Sequence, residues 1–179
     1  AILSRTPQEL DATLADIASL LATHLPADDP LHAYPDRLAS PGLASQQLHG
    51  FLTGSIDVVL RRPDGGCLVV DYKTNRLAPP DVPLTVGHYT PVAMAAAIMA
   101  SHYPLQALLY CVALHRFLAV RQVGYQPQRH LAGVLYLFVR GMAGPETPVS
   151  GGHPLGVFSW HPPAELVLAV SALLAREES

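Results

Sequence analysis

The sequence contains only two cysteines, Cys67 and Cys111, and each lies in an apolar run. Two cysteines cannot provide a cysteine quartet for zinc or the four thiolates of an iron–sulfur cluster, so both kinds of metal centre are excluded. Their apolar neighbours predict small core residues rather than a disulfide framework. We therefore expect a reducing, cytoplasmic setting.

Charged side chains are also scarce. They make up 14% of the 179 residues, and half of the residues are apolar, whereas about a quarter of an ordinary globular chain is charged. This composition excludes an intrinsically disordered chain and predicts a compact one. The formal net charge is -3, so the composition lacks the basic excess with which domains usually hold DNA.

Long apolar runs are missing as well. No stretch of about 18 or more residues is free of polar interruption, and no basic region followed by an apolar one opens the chain, so we expect neither a membrane span nor a signal peptide. The sequence begins with Ala1 and not with methionine, and we expect it to be a piece of a longer polypeptide.

The length predicts a single domain, residues 1–179. Within it we distinguish an N-terminal helix and irregular segment (1–47), a catalytic core (48–141), and a flexible loop with a C-terminal helix (142–179). The predicted elements are a helix at 7–25, a hairpin from 48 to 73 with its turn at 63–66, helices at 91–101 and 104–121, a strand at 131–139 and a helix from about 162 to 176. This order predicts an α/β fold in which helices flank a mixed central sheet.

Three ionisable residues are expected to meet on the hairpin. Asp71 and Lys73 are two positions apart on one strand, so their side chains share a face while that of Tyr72 points the other way. Asp57 is expected in the middle of the preceding strand, where a charge is costly unless it is paired or binds a metal. Two carboxylates and a main-chain carbonyl are suitable ligands for a hard cation such as Mg²⁺, which would promote phosphodiester hydrolysis.

Lysine occurs only once, at position 73, against ten arginines. A single lysine on an apolar strand indicates that a compact ammonium group is needed there, to position water or to stabilise charge in the transition state. The alternative is a strand-end lysine that merely pairs with Asp71. The spacing alone leaves both interpretations open.

The run Gly50-x-x-x-Gly54-Ser55-Ile56-Asp57, a turn, and then Asp71-Tyr72-Lys73 resembles the core of the PD-(D/E)xK nucleases. The segment from Tyr103 to Tyr110, with Gln106 four residues before Tyr110, resembles the Q-x-x-x-Y helix of the RecB-type members of that family. Residues 133–141 resemble the strand that follows this helix. The resemblance extends in unbroken order from about Gly50 to Gly141 and implies a restriction-endonuclease-like core.

The resemblance implies a role for each matched residue. Asp57 and Asp71 would be metal ligands, the main-chain carbonyl of Tyr72 a third ligand, and Lys73 the catalytic lysine. Gln106 and Tyr110 would support the site. From periodicity alone these two share a helix face and could equally form a core hydrogen bond.

The implied activity is that of a Mg²⁺-dependent exodeoxyribonuclease that cuts single-stranded DNA during double-strand break repair. The implied partners are RecC and RecD subunits, with ATP used only by helicase domains that this chain lacks, and no membrane is involved. RecB-type nuclease domains carry a histidine on an upstream helix, and it completes their metal site. We expect the segment that bears it to lie outside this piece, so that metal binding and activity are weakened, and we expect His24, His32 and His49 to be surface or structural residues.

Other functions have less support. A catalytically inactive scaffold that binds DNA or partner subunits would have the same fold, but the complete set of Asp57, Asp71 and Lys73 favours the enzyme. His88 and His102 bracket a helix and could reach a metal. Three arginine groups could contact phosphates, namely Arg61-Arg62, Arg76 and the stretch from Arg116 to Arg129. No serine lies in a G-x-S-x-G turn, which excludes that type of serine hydrolase.

Overall fold

The computed structural model describes residues 12–48 and 54–175. Its helices and strands are, in chain order, α1 (Leu14–His24), α2 (Tyr34–Leu38), β1 (Val58–Arg61), β2 (Cys67–Lys73), α3 (Pro91–Ala100), α4 (Tyr103–Arg121), α5 (Pro127–His130), β3 (Leu131–Phe138), β4 (Val149–Ser150), β5 (His153–Pro154), β6 (Val157–Trp160) and α6 (Ala164–Leu173). The predicted α/β class with a mixed sheet flanked by helices is confirmed.

The described residues form two compact units. The first comprises those up to Ser55, Leu108–Leu131 and those from Pro162 onward; the second comprises Ile56–Ala107 and Ala132–His161. In the first unit α1 packs on α2 and α6, and the fully buried side chains of α1 and α6 form its apolar core. The prediction of a single domain with the boundaries given above stays a prediction.

The second unit contains a four-stranded sheet in the order β1-β2-β3-β6, with β1–β2 and β3–β6 antiparallel. The predicted hairpin is confirmed, because β1 and β2 pair in antiparallel register. In the turn between them, Gly65 has a φ of 90° and Asp64 Oδ1 accepts a hydrogen bond from Gly66 N–H. Side-chain oxygens and glycines with positive φ are the usual means of reversing a chain this tightly. The turn fixes the register of β2, which carries Asp71 and Lys73.

The predicted helices 91–101 and 104–121 are confirmed as α3 and α4. Thr90 caps α3 by accepting a hydrogen bond from Ala93 N–H, and Pro91 occupies the first turn, where a missing N–H costs nothing. Among the described residues, α4 alone has the length and apolar composition of a membrane-crossing helix. A core helix meets the same criterion, and Gln106 and Arg116 of α4 bond to Lys73 and Ser171.

Three expectations were wrong or incomplete. Within the described residues, the helix predicted at 7–25 begins at Leu14, because Thr13 and Asp16 form a capping box there; positions 7–11 of the prediction lie outside the described residues. The irregular segment 26–47 contains the short helix α2, and the loop predicted to be flexible contains the small β4–β5 pair. Strand β6 was not predicted.

Residue 141 must be glycine because the Tyr89 side chain lies close to its backbone within the second unit. A Cβ atom there would lie 2.4 Å from Cγ of Tyr89, whose ring is fully buried and whose hydroxyl donates to the Asn75 carbonyl. We expect Gly141→Ala to reduce the free energy of unfolding by about 2 kcal/mol, because a fixed ring cannot yield to the added methyl.

Urea denaturation checks this expectation. Gly42→Ala is the matched control, because a Cβ at Gly42 would meet nothing within 4 Å. The control is expected to stay within about 0.5 kcal/mol of the parent chain. Equal effects of the two substitutions would contradict the proposed packing of Tyr89 on Gly141.

Candidate active site

Strand β2 presents Asp71 and Lys73 on its buried face. Asp71 is 5% exposed and Lys73 is 7% exposed, whereas Tyr72 between them is 50% exposed. This alternation confirms that the two charged side chains share a face. Charged residues are seldom buried to this degree unless they are paired, so the surroundings of both groups decide what they can do.

The Lys73 ammonium contacts three partners of different kinds. Its Nζ lies 2.5 Å from Asp71 Oδ2 and donates a hydrogen bond to Gln106 Oε1 at 3.1 Å. It also lies 3.5 Å from the centroid of the Tyr103 ring. A carboxylate, an amide oxygen and an aromatic face all attract a cation. Together they compensate for the burial of the ammonium.

Asp71 Oδ2 is buried but incompletely used. Despite its closeness to Lys73 Nζ, no group in the described part of the chain directs a hydrogen bond of acceptable geometry at this oxygen. A carboxylate oxygen has lone pairs for more than one partner, and buried polar atoms are normally satisfied. Asp71 therefore has a free lone pair, which suits a ligand of a hard divalent cation.

Asp57 lies immediately before β1 and is exposed to solvent. The prediction that it lies in the middle of a strand was wrong, because the ladder begins only at Val58, which pairs with Val70. Its carboxylate takes the place of a ladder acceptor: Oδ2 accepts the Tyr72 N–H at 3.1 Å. Continuing the register by one position sets Asp57 opposite Asp71.

The residues present fit a hard cation as a partial set of ligands. Asp57, just before β1, lies opposite Asp71 of β2 when the register is continued, and both have carboxylate oxygens, the type of ligand that Mg²⁺ prefers. Within residues 12–48 and 54–175, no group of three or more histidine, cysteine, aspartate or glutamate side chains could hold a metal ion. The main-chain carbonyl of Tyr72, expected as a third ligand, is also an oxygen ligand of the kind that hard cations take.

Gln106 and Tyr110 have separate partners. Gln106 Oε1 accepts the hydrogen bond from Lys73 within the second unit. In the first unit, the Tyr110 hydroxyl donates to the main-chain carbonyl of Ser55 at 2.6 Å, and its ring lies against Gly54. Gln106 thus contacts strand β2, and Tyr110 contacts the residues that precede β1. Gly50 lies outside the described residues.

Two tyrosines near Lys73 were not predicted as site residues. Tyr103 and Tyr136 lie with their rings stacked at 6.3 Å between centroids, and the Tyr136 centroid is 5.5 Å from Lys73 Nζ. Tyr103 precedes Gln106 by three positions and therefore shares its helix face, which is the sequence feature that points to it. For Tyr136, on a strand with apolar neighbours, the sequence offers no comparable feature.

The other candidate groups have local partners. His88 Nδ1 contacts Thr85, Arg62 pairs with Asp64, and Arg76 donates to the carbonyls of Pro79 and Val82. Both cysteines are buried and unpaired, as predicted. Burial raises the pKa of Cys111 to about 12, so its thiol stays protonated and is no nucleophile at neutral pH. His49 lies outside the described residues.

Comparison with known proteins supports one family. A family profile described as PD-(D/E)XK nuclease superfamily matches residues 8–162. A Mycobacterium tuberculosis protein named RecBCD enzyme subunit RecB is 59% identical over 166 residues, 93% of this chain and 15% of the relative. Proteins of the same name from Mycolicibacterium smegmatis and Escherichia coli are 55% and 38% identical over 93% and 89% of this chain, and 15% and 12% of their own lengths. The chain thus spans under a sixth of these relatives.

Proposed function

This chain belongs to the PD-(D/E)XK nuclease superfamily, and from this premise we propose that it is the divalent-metal-dependent nuclease domain of a RecB-type enzyme, acting on single-stranded DNA. The observation that carries the proposal is the buried pair of Asp71 and Lys73, in which Asp71 Oδ2 accepts no well-aligned hydrogen bond. A buried lysine beside a carboxylate with a free lone pair would lower the stability of the fold if it had only a structural role. The same arrangement suits the hydrolysis of a phosphodiester.

Each residue has a distinct task in this proposal. Asp57 and Asp71, with the carbonyl of Tyr72, would hold the cation. When bound, a cation such as Mg²⁺ polarises the phosphoryl oxygen and lowers the pKa of water. The Lys73 ammonium donates hydrogen bonds to the attacking water or to the phosphoryl oxygen on which negative charge develops. Gln106 restrains the ammonium through its hydrogen bond at 3.1 Å.

The biological setting is proposed from the relatives. The relatives are named as RecB subunits of a RecBCD enzyme, which supports RecC and RecD as partners, a role in double-strand break repair, and ATP consumption outside this chain. A cytoplasmic location follows from that role. Exonucleolytic action is tested by offering linear and circular single strands, because an exonuclease degrades the linear strand and spares the circle.

Asp57→Asn is the most direct test of the metal site. Because Asp57 is exposed, we expect the variant to stay folded and to lose at least about 100-fold in the rate of single-strand cleavage, since a metal ligand is replaced. Cleavage of a labelled strand with Mg²⁺ or Mn²⁺, together with calorimetric titration of the metal, measures both effects.

Asp64→Asn is the matched control. Asp64 is an exposed aspartate in the turn at the other end of the same hairpin, and its variant is expected to cut and bind metal like the parent chain. Equal metal affinity and cleavage for Asp57→Asn and the parent would rule out Asp57 as a ligand. DNA binding without cleavage by the parent chain under either metal would support the inactive scaffold instead.

A further inference from the structure

Tyr103, the first residue of α4, contacts Lys73 through the face of its ring. The Lys73 Nζ atom lies 3.5 Å from the ring centroid, well within the distance of about 6 Å at which a cation is attracted to an aromatic face. The ammonium therefore lies directly over the ring. The attraction between a cation and an aromatic face is strongest where water is displaced, and Lys73 is only 7% exposed.

The ring of Tyr103 is itself held by the sheet. Tyr136 of β3 stacks on it at an interplanar angle of 25° and donates its hydroxyl to the Tyr103 carbonyl at 2.7 Å. The Tyr103 hydroxyl is 3.4 Å from Asn75 Oδ1, two residues beyond β2. These contacts come from two strand segments, so the ring has little freedom to follow the lysine.

The other contacts of Lys73 do not by themselves fix the position of its ammonium group. The lysine side chain has four rotatable methylene groups. Asp71 would also bind the metal cation, which weakens its attraction for the ammonium. Gln106 and the ring then remain to hold the ammonium. Resting on the proposed function, we propose that Tyr103 is a positioning residue whose ring face, supported by Tyr136, keeps the Lys73 ammonium between Asp71 and Gln106.

The placement can be tested without metal or DNA, because Lys73 is the only lysine in the chain. Protein grown with lysine labelled with ¹³C at Cε gives a single lysine resonance in a ¹³C–¹H spectrum. Ring current from Tyr103 is expected to shift its methylene protons upfield of free lysine in the parent chain and in Tyr103→Phe. In Tyr103→Leu the shift should largely disappear. A parent resonance at the free-lysine position would overturn the proposal.

Cleavage kinetics test whether the placement matters for the reaction. Tyr103 is replaced with phenylalanine and then with mono-, di- and trifluorinated phenylalanines, which keep the ring's shape while weakening its attraction for a cation. We expect Tyr103→Phe to remain near the parent rate and kcat to fall progressively, by about tenfold to thirtyfold at the trifluorinated ring, with little change in KM.

The outcomes separate this inference from the proposed function. A purely structural role would give a flat kcat across the fluorinated series and a loss of melting temperature in Tyr103→Leu alone; that result would overturn the positioning role. If the parent chain shows the shifted lysine resonance but no metal-dependent cleavage, the ammonium placement is supported and the nuclease proposal fails.

Discussion

Lys73→Met is expected to lower the rate of DNA cleavage by about 1,000-fold while the domain stays folded under assay conditions. Methionine has a similar length and suits a buried site, but it cannot donate a hydrogen bond to the phosphoryl oxygen or the attacking water. Removing one such preorganised donor costs about 100- to 1,000-fold in other enzymes, and here the removed donor also carries a positive charge. Single-turnover cleavage of a labelled single strand measures the loss.

Two further variants sharpen this result. Lys73→Arg keeps the positive charge, but its planar guanidinium cannot replace a compact ammonium between the Tyr103 ring and Gln106, so little activity should return. Arg37→Gln removes a cation from the exposed face of α2 and is expected to cut at the parent rate. If Lys73→Met retained more than about a tenth of the parent rate, Lys73 could not serve as the proposed donor.

Local patterns in the sequence predicted the hairpin and the two helices after it. The turn at 63–66 depends on Asp64 and glycine, and helix α3 depends on Thr90 and Pro91, so each boundary is set by neighbouring residues. The start of α1 was misjudged because Thr13, followed three positions later by Asp16, forms the capping box that begins the helix. Local capping signals do not by themselves fix where a helix begins, since most helical stability comes from packing.

Contacts between distant segments explain the rest of the differences. Strand β6 follows a stretch rich in glycine and proline, and it becomes a strand by pairing with β3. The stacking of Lys73 on Tyr103 likewise joins residues 30 positions apart, which no short spacing encodes. The alternation along β2 did predict that Asp71 and Lys73 share a face. It could not predict that the exposed Asp57 carboxylate would accept a hydrogen bond from the Tyr72 N–H.

The low charge of the chain is consistent with the proposed setting. Several arginines have intramolecular partners, with Arg62 on Asp64, Arg76 on two carbonyls and Arg116 on Ser171. These groups are therefore less available for phosphates, on which DNA affinity mainly depends. Under the proposed function, the domain would rely on other parts of a RecB-type enzyme to deliver the DNA strand.

Neutralising one member of the Asp71–Lys73 pair is expected to cost more stability than neutralising both. The two side chains are 7% and 9% exposed, so solvent screens the remaining charge poorly. Asp71→Asn leaves an ammonium without its anion, and Lys73→Met leaves a carboxylate without its cation. Each change should reduce the free energy of unfolding by about 3 kcal/mol. Urea denaturation of both single variants and of the double variant gives the coupling.

The double variant separates stability from function. In Asp71→Asn with Lys73→Met no net charge remains buried at the pair, so its loss of stability should be smaller than the sum of the single losses by about 2 kcal/mol or more. Its cleavage should nevertheless stay as low as that of Lys73→Met, because neither the metal ligand nor the donor is restored. Additive losses, within about 0.5 kcal/mol, would show that the two groups are not coupled. A stable but inactive double variant is the result expected if the charges are kept buried for the reaction, at a cost to the fold.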